Sequence, residues 1–318
     1  MSSGLEEIGA EDLGEGWSAE IEACATERLT ALATSDPGME RWVAPLIRVI
    51  RRRRLRLPTL SPTVHKIIEI IESDEVDLDD LADAVSGDPA LASRIMGVAN
   101  SSYFRGAAAV PNVREALMRM GVREARTIVV VVALRSTVLR ASGLAEAAAN
   151  LWRHSLLSAT ATQEICSEMP AWESAGFLAG LVHDIGRLAI LGFASELPAW
   201  QEDGSEPTSS EIESIADASH ESLGALILHS WHFPEAFSQA VMHHHGPDAL
   251  EGTSADLARA IELGHRVARA LEAGWPQDPN EIDAELCQVA EAMGIDRERL
   301  ADIAMDAEAN FEALDKLN

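Results

Sequence analysis

All but one of the ten histidines in this 318-residue chain fall between residues 154 and 265, and an acid stands directly after two of them, His183 and His220. The features are His154, the dipeptide His183-Asp184, His220, the run His243-His244-His245, and His265. Neutral imidazoles and a carboxylate converging from several elements make a donor set for a divalent metal. Mixed nitrogen and oxygen donors suit Mn, Fe, Zn, Ni or Co better than Ca or Mg. Spacing alone is a weak signal here, because no two of these groups repeat the compact H-E-x-x-H arrangement. Taken singly, a core histidine more often bonds a backbone carbonyl than a metal.

Such residues need rigid elements to hold them, and helical periodicity runs through the chain. Trp17, Ile21, Cys24, Leu29 and Leu32 share one helical face, as do Trp42, Leu46 and Val49/Ile50. Ser35-Asp36-Pro37-Gly38 makes the turn between them. Leu57-Pro58-Thr59-Leu60-Ser61-Pro62 breaks the pattern, and Val64, Ile67, Ile68 and Ile71 start a new helix. Asp77 to Leu81 opens another with acids in its first turn, and Asp88-Pro89 reads as an N-cap with Pro at the first helical position. Val113 to Met120 is a helix closed by Gly121.

Thr127 to Leu134 is rich in β-branched residues, which favour strands. With no partner strand nearby, it reads as a fully buried helix. Further helices are expected at 147–168, 172–191, 211–230, 234–245, 255–273, 281–293 and 297–316, with a loop at 201–210 and a boundary at 274–279. On this reading His183-Asp184 lies within a helix. The expected fold class is all-α. Its segments are an acidic helical extension at 1–55, an N-terminal bundle at 56–145, a second bundle at 146–275 and an acidic helical segment at 276–318. Trp152, Trp172, Trp200 and Trp231 read as core residues of the second bundle. Asn100 reads as a left-handed helix C-cap or, alternatively, a ligand contact, with Tyr103-Phe104 closing the first bundle.

Composition narrows the function classes. The chain is 47% hydrophobic and 24% charged, with a formal net charge of -27, which argues against a general nucleic-acid binder. The acids are unevenly spread: residues 51–140 hold 14 bases against 11 acids, and residues 141–270 hold 5 bases against 18 acids. The run Arg51-Arg52-Arg53-Arg54-Leu55-Arg56 reads as a solvated helix end or, alternatively, a docking patch for an acidic partner. Cys24, Cys166 and Cys287 are odd in number and unpaired in spacing, so they read as reduced thiols. The longest apolar run, Ile128 to Leu134, is far shorter than the roughly 20 residues of a membrane span. The acidic N-terminus has no apolar signal region. A cytoplasmic location is expected.

Two blocks carry a family resemblance. One is LPTLSPTVHKIIEII…DLADAVSGDPALASRIMGVANSSYF…VREALMRMGVREARTIVVVVAL, and the other is LWRHSLLSATAT…AGFLAGLVHDIGRLAILGF…SHESLGALILHSWHFPEAFSQAVMHHHGP. Together they resemble the HDOD domain, a bacterial signalling module related to HD-type phosphohydrolases, over about residues 56 to 275. The resemblance implies an N-terminal helical bundle packed on an HD-like bundle. It also implies a site for one or two divalent metals. His183 and Asp184 match the HD positions and His154 the ligand of the preceding helix. His220, His244 and His245 match the extra ligands of two-metal relatives. His265 stands where the family has Asp, and Arg187 where cyclic-dinucleotide hydrolases have Lys. No G-Y-P follows the paired histidines.

These departures lead to a regulatory protein that acts through contacts with other signalling proteins, without turnover. The alternative is a metal-dependent phosphohydrolase acting on a nucleotide or cyclic dinucleotide, with Asp184 and Arg187 as its catalytic residues and Arg187 steadying the phosphate. The oligomeric state is left open.

Overall fold

Helix starts are set by short polar side chains that accept the first free N–H groups. Asp77 accepts from Asp79, Asp88 from Ala90 and Leu91, Asn112 from Glu115, and Asp296 from Arg299. Thr208 and Glu211 form a reciprocal capping box. The computed structural model describes residues 5–7, 17–52, 56–58, 60–72, 76–101, 104, 109–141, 145–196, 200, 206–276 and 278–316. Arg53 to Leu55, Tyr103 and residues 201–205 lie outside them, so the arginine run is described only at its ends.

The architecture is all-α, with one small ribbon. Strands β1 (Leu5–Glu7) and β2 (Arg56–Pro58) pair antiparallel, with Leu5 opposite Pro58. The ribbon departs from the expected helical extension. Its local cause is Pro58, which biases the residue before it towards extended backbone.

The N-terminal helices are α1 (Trp17–Ser35) and α2 (Glu40–Arg51). A first bundle contains α3 (Pro62–Glu72), α4 (Leu78–Ser86), α5 (Pro89–Ala99), α6 (Val113–Met120) and α7 (Val122–Ala141). A second contains α8 (Ala145–Cys166), α9 (Gly176–Val182), α10 (Ile185–Glu196), α11 (Ser209–Ser230), α12 (Glu235–Met242) and α13 (Gly252–Ala273). Last come α14 (Ala284–Ala292) and α15 (Arg297–Asp315).

Both ends of the chain join the second bundle: α1 packs along α11 and α15 along α8. Trp42 on α2 donates its indole N–H to Glu211 at 2.8 Å, and Trp200 donates to the Trp42 carbonyl at 2.8 Å. Trp152, Trp200 and Trp231 are buried, while Trp172 is half-buried and donates to the Thr253 carbonyl at 2.9 Å.

The β-branched stretch is helical. Ile128 to Leu134 are all buried, seven in succession, within α7. A helix surrounded by packing partners has no polar face to keep, and it satisfies its own backbone groups where a lone strand would not. Asn100 departs from expectation: its φ is -97°, not left-handed. Its Nδ2 donates to the Met96 carbonyl, and its Oδ1 accepts the Val110 N–H, each at 2.9 Å. This tethers the segment before α6. The stretch Gly176–Ala194 is apolar enough to cross a membrane, but 83% of that window is buried, as suits a core element. Cys166 and Cys287 are buried free thiols, and burial pushes Cys166 up to about 12.

Candidate metal centre

Five elements converge inside the second bundle. His154 comes from α8, His183 and Asp184 from the junction of α9 and α10, and His220 from α11. His244 and His245 come from the turn after α12, and His265 from α13. All seven expected donors are brought together, in two adjoining groups. The ligand atoms of His154, His183, Asp184 and His265 lie within 4.8 Å of one another, and so do those of His220, His244 and His245.

Two local geometries differ from the sequence expectation. His183-Asp184 does not sit within a continuous helix: α9 ends at Val182 and α10 begins at Ile185. The His183 Nδ1 faces the Gly180 carbonyl at 2.7 Å. Likewise α12 ends at Met242, leaving His243 to His245 in a turn. There His244 Nδ1 faces the Val241 carbonyl at 2.7 Å.

The hydrogen bonds assign the tautomers. His183, His220 and His244 each place Nδ1 against a backbone carbonyl, the His220 contact being 2.9 Å to Ala216. Each therefore donates from Nδ1 and turns a bare Nε2 lone pair into the centre, the arrangement that orients metal-ligating imidazoles. His154 does the same with Glu272, at 3.1 Å. The inward atoms are poorly satisfied. His220 Nε2, His244 Nε2 and Asp184 Oδ1 are buried with no hydrogen-bond partner among the described residues. His220 Nε2 and Asp184 Oδ1 face each other at 3.4 Å, lone pair against lone pair. His265 Nδ1 lies 3.1 Å from both His154 Nε2 and His183 Nε2, and one N–H cannot serve two acceptors well.

A cation resolves these contacts at once, so the donor set fits a divalent metal. Asp184 reaches both groups, with Oδ2 3.5 Å from His183 Nε2 and Oδ1 turned to His220.

His183, His244, His245 and His265 are held in their neutral, ligating form at neutral pH. Burial pushes His183 down to about 4 against the pull of Asp184, and burial next to His183 takes His265 to about 2. Burial also holds His244 well below its ordinary value. For Asp184 burial opposes the charge, but His183, His220 and Arg187 outweigh it and hold the carboxyl well below the usual range. The unfolded chain therefore takes up a proton at His183 as pH falls through 6.5, while the folded chain resists until about 4. Metal-free protein should lose about 3 kcal/mol of stability over that window from His183 alone. Denaturant melts at pH 7 and pH 4.5 measure the loss, and equal midpoints would contradict it.

Arg187 is committed to the protein. Its Nε lies 3.1 Å from Asp184 Oδ2, Nη1 3.5 Å from Glu213, and Nη2 2.8 Å from Asp217. With all three nitrogens facing carboxylates, it holds Asp184 in place and has little left for a phosphate. Two cavities reach the donors, one of about 370 Å³ touching His154, Asp184 and His265, and one of about 390 Å³ touching His245 and His265. Arg269 borders both. It stands one turn beyond His265 on α13 and has no ion pair among the described residues. A third cavity, about 580 Å³ and bordered by Ile71, Arg126 and Phe177, touches none of the donors.

Sequence reading missed Glu272, Arg269, Arg28 and Glu221. Only the first two left a trace, since both follow His265 at helical spacing. Close backbone approach was also missed. A Cβ on Gly264 would lie 3.0 Å from Thr162 N on α8, so this glycine lets α13 bring His265 next to His154.

The HDOD domain model matches residues 57–247. An uncharacterized protein of Treponema pallidum (strain Nichols) is 21% identical over 235 residues, covering 70% of this chain and 44% of that protein. The chain thus spans less than half the length of that curated relative. Among solved structures, a proposed phosphohydrolase from Shewanella amazonensis SB2B has a TM-score of 0.62 at 21% identity, covering 86% of this chain and 98% of that one. An HDOD domain protein of unknown function from Geobacter sulfurreducens has a TM-score of 0.62 at 19% identity, covering 83% and 94%. A proposed signal transduction protein from Marinobacter aquaeolei VT8 has a TM-score of 0.63 at 21% identity, covering 94% and 67%. At these identities the likeness carries the fold, and the family follows from the domain match over more than half of the residues: this chain belongs to the HDOD domain family.

Proposed function

We propose that this protein is a metal-dependent phosphohydrolase of bacterial signalling, acting on a nucleotide or cyclic dinucleotide. Its metal dependence is supported by the buried, inward-facing donor atoms without partners, His220 Nε2, His244 Nε2 and Asp184 Oδ1, and its access to a phosphoester by the two cavities that reach the donors beside Arg269. His154, His183, Asp184 and His265 would hold one cation, and His220, His244 and His245 with the far oxygen of Asp184 a second. Bound divalent metals supply acidified water and polarise a phosphoryl oxygen. Glu272 keeps the His154 proton on Nδ1, and Arg187 fixes the Asp184 carboxylate. Arg269 is the uncommitted cation that an anionic phosphoester meets at either cavity.

Protein purified without chelator and supplied with Mn²⁺ or Fe²⁺ is expected to hydrolyse a phosphodiester. A metal-loaded protein with no turnover on cyclic dinucleotides or a chromogenic phosphodiester would overturn the reading. Arg269→Ala is expected to raise KM about tenfold and leave kcat within a factor of two, the loss of a charge-assisted contact worth about 1.4 kcal/mol. Steady-state kinetics check the split.

A second reading is a regulatory module that acts by protein contacts without turnover. It is favoured by the engagement of all three Arg187 nitrogens and by a donor set with a single carboxylate. One negative charge offsets little of the charge of two divalent cations. Metal binding without hydrolysis is the result this reading expects.

A further inference from the structure

Glu221 follows His220 on α11, and its side chain is only 3% exposed. Its Oε1 accepts the backbone N–H of His245 at 3.2 Å. Its Oε2 pairs with the Arg28 guanidinium, which arrives on α1 from 193 residues away. Arg28 lies outside the matched HDOD segment. Ile21, Ala25 and Leu29 are fully buried as α1 lies along α11, so the helix that delivers the cation is packed in place. Glu221 is thus a junction: one oxygen belongs to the N-terminal helix, and the other holds the turn that projects His244 and His245.

We propose that α1 is a clamp on the second donor group, so that docking of α1 and metal occupancy of His220, His244 and His245 favour each other. Without Arg28, a nearly buried carboxylate loses its counter-charge and turns towards solvent, and the His245 N–H loses its acceptor. The turn from His243 to Gly246 then loses its anchor. His245, whose ring is exposed, is the donor most dependent on that anchor. By linkage, whatever displaces α1 weakens the second metal, and filling the second group tightens α1. Arg28 is a positioning residue: it pairs with Glu221 and not with a donor.

The inference rests on the metal-binding part of the proposed function, and a Co²⁺ titration of the full chain separates the two. Wild-type protein is expected to bind two equivalents, of which His244→Ala abolishes the one belonging to the second group. In Arg28→Ala that same equivalent should weaken about 10- to 100-fold, while the first keeps its affinity and its absorption bands. Arg28→Lys should recover most of the loss. In wild-type protein, filling the second group, but not the first, should slow amide exchange across α1.

Unchanged affinity of both equivalents in Arg28→Ala, or equal weakening of both, overturns the clamp and leaves metal binding standing. Absence of Co²⁺ binding by wild-type protein overturns both. If Arg28→Ala does not fold, the wild-type exchange experiment decides: α1 amides indifferent to the second equivalent overturn the clamp.

Discussion

Asp184→Asn is expected to weaken both metal equivalents together, each by more than about 100-fold. Each of the six histidines belongs to one donor group, whereas the Asp184 carboxylate faces both. It is also the only anion in the set, and neutral imidazoles cannot replace its charge. Its electrostatic setting is built for ionisation: Arg187 lies at 3.1 Å, and that arginine is itself braced by Glu213 and Asp217. Asn keeps the volume and one oxygen but abolishes the charge, so folding should survive and ligation should not. Elemental analysis and Co²⁺ titration measure the loss. Retention of either equivalent at wild-type affinity would show that the two groups do not share this residue.

Gly186→Ala is expected to cost more than about 3 kcal/mol and to disturb the centre without touching a donor. A Cβ at this position would lie 2.6 Å from Gly224 N and 2.8 Å from His220 C, and closer still to the His220 carbonyl oxygen. All three are backbone atoms of α11, so no side-chain rotation relieves the clash. The two helices must move apart, at the upper end of the cost of overpacking a core. The movement also draws Asp184 away from His220, across the 3.4 Å gap that both groups share. Gly97 on α5 is the control, with nothing within 4 Å of its Cβ position. Gly97→Ala should be stabilising by about 0.5–1 kcal/mol, because helix-interior glycine costs that much relative to alanine. Denaturant midpoints for the two variants should move in opposite directions. A neutral Gly186→Ala would mean that α10 and α11 are less tightly apposed than this structure has them.

The elements were largely legible in the residues. Period-3.6 apolar spacing and capping side chains such as Asp77, Asp88 and Asn112 mark helices locally, and a local pattern can be read without knowing what it packs against. The buried helix at Ile128–Leu134 was legible by elimination, since a solitary strand has nowhere to send its hydrogen bonds. The breaks at His183 and at His243–His245 were not. Both regions have helical composition, and nothing in the local pattern marks where the helices stop.

For the candidate centre, residue type and order named the seven donors once the HDOD resemblance was seen. They could not assign roles beyond that. Arg187 looked like a phosphate contact in isolation, and only the folded chain surrounds it with three carboxylates. Arg28 and Glu221 are unremarkable charges 193 residues apart until α1 lies on α11.

Composition and periodicity were therefore enough to fix an acidic, helical chain, because periodicity depends on neighbours within a turn or two, and the family resemblance supplied the candidate donors. Which lone pairs face one another, which cation is spent and which is free, and how the N-terminal helix reaches the second donor group depend on distances between helices. Those distances arise from packing, where a single Cβ on Gly186 or one buried counter-charge on Glu221 decides the outcome, and packing has no period along the chain.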